Sequence, residues 1–152
     1  MSHTIVQTTS GVVKALNKQL ANWNVLYVKL HHMHWFVKGT AFFTLHEKFE
    51  KWYDQAAVYI DDLAERILAI NGTPLSTMKD YLANASIQEA KGTESAQQMV
   101  QTLLEDFSVI LRETEEGIKE AQKAGDESTV DLLIGIHTDV EKQSWMLRAF
   151  LS

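Results

Sequence analysis

The chain has no cysteine, one proline (Pro74) and only seven glycines in 152 residues. Without cysteine there is no disulfide framework, no thiolate metal site and no thiol nucleophile. A single proline and few glycines leave long segments with nothing to interrupt a helix. Apolar residues are frequent but never run far enough to span a bilayer, and the start of the chain lacks a signal-peptide pattern. These absences predict a single all-α domain over residues 1–152, with no membrane partner and a cytoplasmic location. Fourteen basic against twenty acidic side chains give a net charge of −6, which repels a phosphate backbone and attracts cations.

Helical periodicity is what the sequence has instead. Thr9 or Ser10 is the expected cap of a first helix beginning near Val12. Val13, Leu16, Leu20, Trp23, Tyr27, Leu30 and His34 then recur every three or four residues as one buried stripe. Around Asn24 the apolar positions broaden to Val25, Leu26 and Val28, a face wide enough to meet another subunit. Gly39 stops this helix, and Thr44-Leu45-His46-Glu47 reads as a capping box opening the second. Its stripe is Leu45, Phe49, Trp52, Ala56, Tyr59, Leu63, Ile67 and Ile70.

Asn71-Gly72-Thr73-Pro74 is a strong stop, after which Ser76 is placed to cap a short helix reaching Tyr81 and Leu82. Thr93 is the expected cap of a third long helix burying Val100, Leu103, Leu104, Phe107, Ile110, Leu111 and Ile118. Gly125 ends it, and Asp126 caps a fourth with Val130, Leu133, His137, Val140, Leu147 and Leu151 on one stripe. Short connections at 39–44 and 124–126, with a long one between the second and third long helices, fit a four-helix bundle with one crossover and a short helix within it.

Candidate chemistry concentrates between His31 and Arg66. His34, His46, Asp61 and Glu65 offer imidazole nitrogen and carboxylate oxygen, a mix that suits iron, manganese or zinc. On ligand chemistry alone the plainer reading is favoured: a core histidine, a histidine at a helix start and two solvated acids. Helical phase adds information. Glu47, Glu50, Asp54, Asp61 and Glu65 cluster opposite the core stripe of their helix, and Asp61 and Glu65 stack one turn apart. Ala57, Val58, Ala64 and Leu68 intrude on that side, which makes an interface plausible there. No Glu-x-x-His occurs, so a di-iron centre in the bundle core lacks its usual ligands. The zincin pattern fails because Glu50 stands where a second histidine is needed. Any metal site using these carboxylates is one shared between two subunits.

The run from His34 through His46 and Asp61 to Glu65, with HWFVKG, FFTLHEKFE, DDLAERILAINGTPLST and the closing WMLRAFL, resembles the Dps-like miniferritins of the ferritin-like superfamily over nearly the whole chain. The resemblance implies a ferritin-like fold and a hollow shell of about twelve copies. It implies an iron-oxidising site at each two-fold interface, with His34 and His46 from one subunit and Asp61 and Glu65 from its mate. The site metal would be iron, as a single ion or a di-iron pair, with zinc or manganese able to substitute. The reaction would be oxidation of ferrous iron by hydrogen peroxide in preference to oxygen, followed by storage as ferric mineral.

By the same resemblance Trp35 is the site tryptophan, able to donate an electron, although packing at a helix end is the favoured account of its main role. Asp126 and Asp131 match acidic positions lining three-fold pores, with Glu127 nearby. Glu47 and Glu50 are lesser candidates for a second iron contact. Family members that condense DNA commonly use a basic tail, whereas residues 2–13 carry no Lys or Arg. DNA binding is therefore not expected. Two other classes remain as alternatives, a nucleic-acid-binding structural protein and a helical scaffold with degenerate sites.

Overall fold

A computed structural model describes residues 2–152, with side chains described from Thr9 onward. The elements are α1 (Ser2–Phe36), α2 (Phe42–Ala69), α3 (Met78–Asn84), α4 (Ala96–Lys123) and α5 (Glu127–Leu151), and there is no strand among the described residues. α1 and α2 form one hairpin, α4 and α5 another, and α1 packs against both α4 and the short α3. The all-α bundle with a helix in its long crossover is thus the observed architecture.

Four expected helix starts lie elsewhere. α1 already runs from Ser2, so Thr9 and Ser10 lie inside it; the basic-free segment 2–13 falls partly outside the described side chains. α2 begins at Phe42 behind Ala41, without a side-chain cap, and the Thr44 to Glu47 box is not formed. Phe42 packs against the core and its ring stacks on His46 at 4.9 Å, which draws an extra turn into the helix. Thr77, not Ser76, caps α3 by accepting from the Asp80 amide. α4 starts behind Ser95, not Thr93: the Ser95 hydroxyl accepts from the Gln98 amide while the Ser95 amide donates to Gln98 Oε1. That reciprocal pair satisfies two donors at once, an advantage Thr93 cannot match.

The helix ends follow the expected stops. Asn71 adopts a φ of 66° and Gly125 a φ of 69°. At α2 the amides of Asn71 and Gly72 donate to the carbonyls of Leu68 and Ile67, and at α4 those of Gly125 and Asp126 donate to Gln122 and Ala121. Both are Schellman closures. Gly72 also has no room for a side chain, since a Cβ there would lie 2.6 Å from Val13 Cγ2 and 2.9 Å from Ile67 Cγ2. The turn is thereby pressed onto α1.

The α2 stripe from Leu45 to Ile67 is buried as its spacing requires, with Trp23, Phe107, Ile110 and Leu133 from the other helices. The broad apolar face of α1 is a correction. Val25 and Leu26 are 5% and 0% exposed within their own chain, and only Val28, at 50%, is left for another. A bundle takes α1 between two helices, so its apolar arc must be wide without any partner subunit.

Polar bonds set the register of the helices. The Asn22 side chain donates to Glu113 Oε1 at 2.8 Å and accepts from the Ser86 amide, and the Ser86 hydroxyl donates to Glu113 Oε2 at 2.7 Å. Buried Lys29 pairs with Asp106 at 2.8 Å and donates to the Gln88 carbonyl. Both sets tie the crossover to α1, and Trp52 to Gln143 and Tyr59 to Asp139 tie α2 to α5. Buried polar groups paired across helices specify one arrangement of apolar helices that would otherwise slide.

Candidate metal centre

His34 closes α1 and His46 lies one turn inside α2, on either side of the turn marked by Gly39 at φ 107°. His34 Nδ1 is 2.7 Å from the His46 carbonyl, and His46 Nδ1 is 2.8 Å from the His34 carbonyl. A carbonyl only accepts, so each Nδ1 carries the proton and donates it. Each neutral ring then presents the Nε2 lone pair, for which no hydrogen-bond partner exists among the described residues. This is the second-sphere arrangement that fixes the tautomer of a metal-binding histidine. The rings lie nearly parallel, 12° apart with centroids at 3.7 Å. Tyr53 meets the edge of His34 at 5.4 Å, and its hydroxyl donates to Glu50 Oε1 at 3.3 Å.

Asp61 and Glu65 are both exposed, on successive turns of α2. Asp61 is fifteen residues beyond His46 on the same helix, about 22 Å along the axis at 1.5 Å per residue. The four candidate ligands therefore do not converge within one chain, and no cluster of three or more metal-binding side chains forms among the described residues. Near Asp61 a shallow groove between α1 and α2 is lined by Asn24, Tyr27, Ala57, Val58 and Ile60. Val28, Val58 and Leu68 are more than half-exposed or close to it, a mixed apolar and acidic face in a single subunit.

Trp35 is 66% exposed and tilts against His31 at 5.4 Å, so it is not the packed aromatic that its helix-end position could have made it. His31 Nδ1 sits 2.8 Å from the Tyr27 carbonyl, and its ring stacks on Tyr53 at 3.7 Å. Glu47 and Glu50 are exposed, Glu47 in a surface pair with Lys51 at 3.3 Å.

At the other end of the bundle, Asp126 caps α5 through the Thr129 amide and hydroxyl and pairs with Arg66 at 2.9 Å. Arg66 Nε also donates to Thr129 Oγ1. Partial burial pushes the Asp126 carboxyl up, but the Thr129 bonds and the Arg66 guanidinium outweigh it and hold it below the usual carboxylate range. Its negative charge is largely offset by Arg66, whereas Asp131 and Glu127 are exposed and make no ion pair among the described residues. Arg66 went unread in the sequence because its partner is sixty residues away. Tyr53 was legible, since His46, Glu50 and Tyr53 share one face at helical spacing.

The Ferritin-like domain family matches residues 13–152. DNA protection during starvation protein 2 of Bacillus anthracis is 55% identical over 141 residues, covering 93% of this chain and 97% of its own length. The crystal structure of a Dps protein from Bacillus brevis superposes with a TM-score of 0.95 at 49% identity, covering 96% of this chain and 98% of that one. That of a Dps protein from Vibrio cholerae O1, described as one of a broad superfamily of ferritin-like diiron-carboxylate proteins, gives 0.92 at 35% identity, covering 96% and 92%. With the helix order, the crossover helix and the paired histidines already in place, these likenesses settle the assignment: the chain belongs to the ferritin-like family, in its Dps branch.

Proposed function

We propose that this chain is the subunit of an iron-storage and detoxification protein that oxidises ferrous iron at sites shared between two copies. The observation that carries the reading is the reciprocal bonding of His34 and His46, which leaves the Nε2 of each ring without a hydrogen-bond partner among the described residues. Asp61 and Glu65, about 22 and 28 Å further along α2, are then supplied by the mate across a two-fold axis. The exposed apolar residues beside Asp61 support that face as the contact. Closed symmetric assembly fits such an interface, and about twelve copies make the shell.

Ferrous iron is the substrate. The neutral imidazoles retain the ferrous ion, and the hard carboxylate oxygens favour the ferric product. Two ferrous ions each lose one electron, and one hydrogen peroxide takes both with two protons to give two waters. Delivering both electrons together avoids release of hydroxyl radical, and exposed Trp35 and half-buried Tyr53 beside the histidines are oxidisable rings within reach of a stray oxidant. Zinc or manganese fits the same donors. Asp131 and Glu127 steer cations toward a three-fold pore; Asp126, held by Arg66, shapes its rim.

The test is anaerobic ferrous loading of the assembled protein followed by a peroxide pulse. Saturable ferrous binding and two irons oxidised per peroxide are expected. A protein that binds no ferrous iron contradicts the reading and leaves a helical scaffold. The nucleic-acid-binding alternative predicts a gel shift with duplex DNA that weakens steeply from low to physiological salt; with a net charge of −6, no shift is expected at either. The reading places the protein in the cytoplasm; no helix among the described residues is long and apolar enough to cross a membrane.

A further inference from the structure

The chain has three arginines. Arg66 is paired with Asp126. Arg112 and Arg148 form no ion pair or side-chain hydrogen bond among the described residues, although acids outnumber bases by six. Both line one groove of about 430 Å³ between α4 and α5, with Leu104, Ser108, Leu111, Glu115 and Ser144. Ser144 is only 3% exposed and its Oγ has no hydrogen-bond partner. A buried helical hydroxyl ordinarily bonds back to the carbonyl four residues earlier, as Thr114 does to Ile110 at 2.6 Å. Ser144 does not, and its hydroxyl is left without the partner that burial demands.

The register of the hairpin brings these groups together. His137 Nε2 lies 3.0 Å from Glu115 Oε1, which places 115 level with 137 and, seven residues along each antiparallel helix, 108 level with 144. Side chains on a helix lean toward its N-terminus. Arg112 therefore leans toward Ser108 and Arg148 toward Ser144, so the two guanidiniums approach the serine level from opposite ends. Glu115, the one carboxylate of the groove, is engaged by His137.

We infer that this groove binds a tetrahedral oxyanion, inorganic phosphate in the first place, between the forks of Arg112 and Arg148 with the serine hydroxyls donating from its floor. Guanidinium forks match phosphate oxygens bidentately, and the ligand supplies the acceptor that Ser144 lacks. The duplex backbone is the other source of this chemistry. A small free anion reaches a fully buried hydroxyl, whereas a phosphodiester held in a duplex does not.

The experiment is calorimetric titration of the intact assembly with inorganic phosphate, with a short DNA duplex in a parallel arm and light scattering to confirm the assembly. Saturable phosphate binding is expected. The Arg112→Gln, Arg148→Gln protein should lose at least tenfold in affinity, and Ser144→Ala should lose severalfold with both arginines intact. Arg148→Lys, which keeps the charge but not the fork, should also bind more weakly. Absence of saturable phosphate binding overturns the inference, including where a neighbouring copy occupies the two guanidiniums. Equal affinity in the double variant, or binding of the duplex without free phosphate, overturns it as well.

Discussion

Replacement of Asp126 separates helix capping from charge pairing at one carboxylate. Its oxygens accept from the Thr129 amide at 3.1 Å and from the Thr129 hydroxyl, and one also accepts from Arg66 at 2.9 Å. In Asp126→Asn the side-chain oxygen still caps α5, because Asn is as good an N-cap as Asp, but the charge that faces Arg66 is gone. The pair is only partly buried, with side-chain exposures of 26% and 15%. Solvent screening therefore reduces the loss to about 1 kcal/mol. Asp126→Ala removes the cap too, which adds about 1 kcal/mol for a total of about 2 kcal/mol.

Urea unfolding at fixed subunit concentration reads both, since the stability of an oligomer depends on that concentration. The sign with pH follows from the depressed carboxyl. Stability from the charged form is fully present above the ordinary carboxylate value of about 3.9 and is lost as pH falls through the lower folded value. The gap between wild type and Asp126→Asn should accordingly be constant at neutral pH, begin to close below about pH 4 and vanish in stronger acid. Equal stabilities for the Asn and Ala variants refute the capping role, and a gap unchanged down to strong acid refutes the ion pair.

Gly72→Ala should cost about 1–3 kcal/mol, because its Cβ would meet Val13 and Ile67 at 2.6 and 2.9 Å; thermal unfolding checks this. Asp131→Asn should slow iron oxidation at low ferrous concentration and low ionic strength, with the difference shrinking as salt screens the steering. Stopped-flow absorbance reads the rates, and unchanged rates at low salt remove Asp131 from the pore. Ser95→Ala should lose about 1 kcal/mol and fray the start of α4, seen as faster hydrogen exchange at Gln98 and Met99.

Periodicity carried most of the architecture, since buried stripes at three- and four-residue spacing must face a core whatever surrounds them. Helix starts were less legible because several Ser and Thr residues competed for each cap. Ser95 won over Thr93 through Gln98, a capping box visible in the sequence at 95–98, while Thr44 lost because Phe42 found a core to pack against. The width of the α1 face misled for a related reason: an apolar arc does not say which helix covers it, and Val25 and Leu26 are covered from within. At the site, residue types and phase made His34, His46, Asp61 and Glu65 candidates, and only the family resemblance joined them into one shared set. The mutual bonding of the two histidines needed the structure, as it depends on the turn at Gly39 folding each carbonyl toward the other ring. The pairing of Arg66 with Asp126 was equally hidden, because no local pattern links residues on different helices.

The central claim, that each site draws on two subunits, is tested by mixing two defective proteins. One carries His34→Gly with His46→Gly, the other Asp61→Asn with Glu65→Gln, so each is broken at every site when assembled alone. In shells assembled from a mixture, a two-fold pair of unlike subunits has one site with all its ligands intact. Partial recovery of peroxide-driven iron oxidation is the predicted result, absent when the two proteins are assembled separately and then combined. No recovery in shells whose mixed composition is confirmed by mass spectrometry would contradict the shared site.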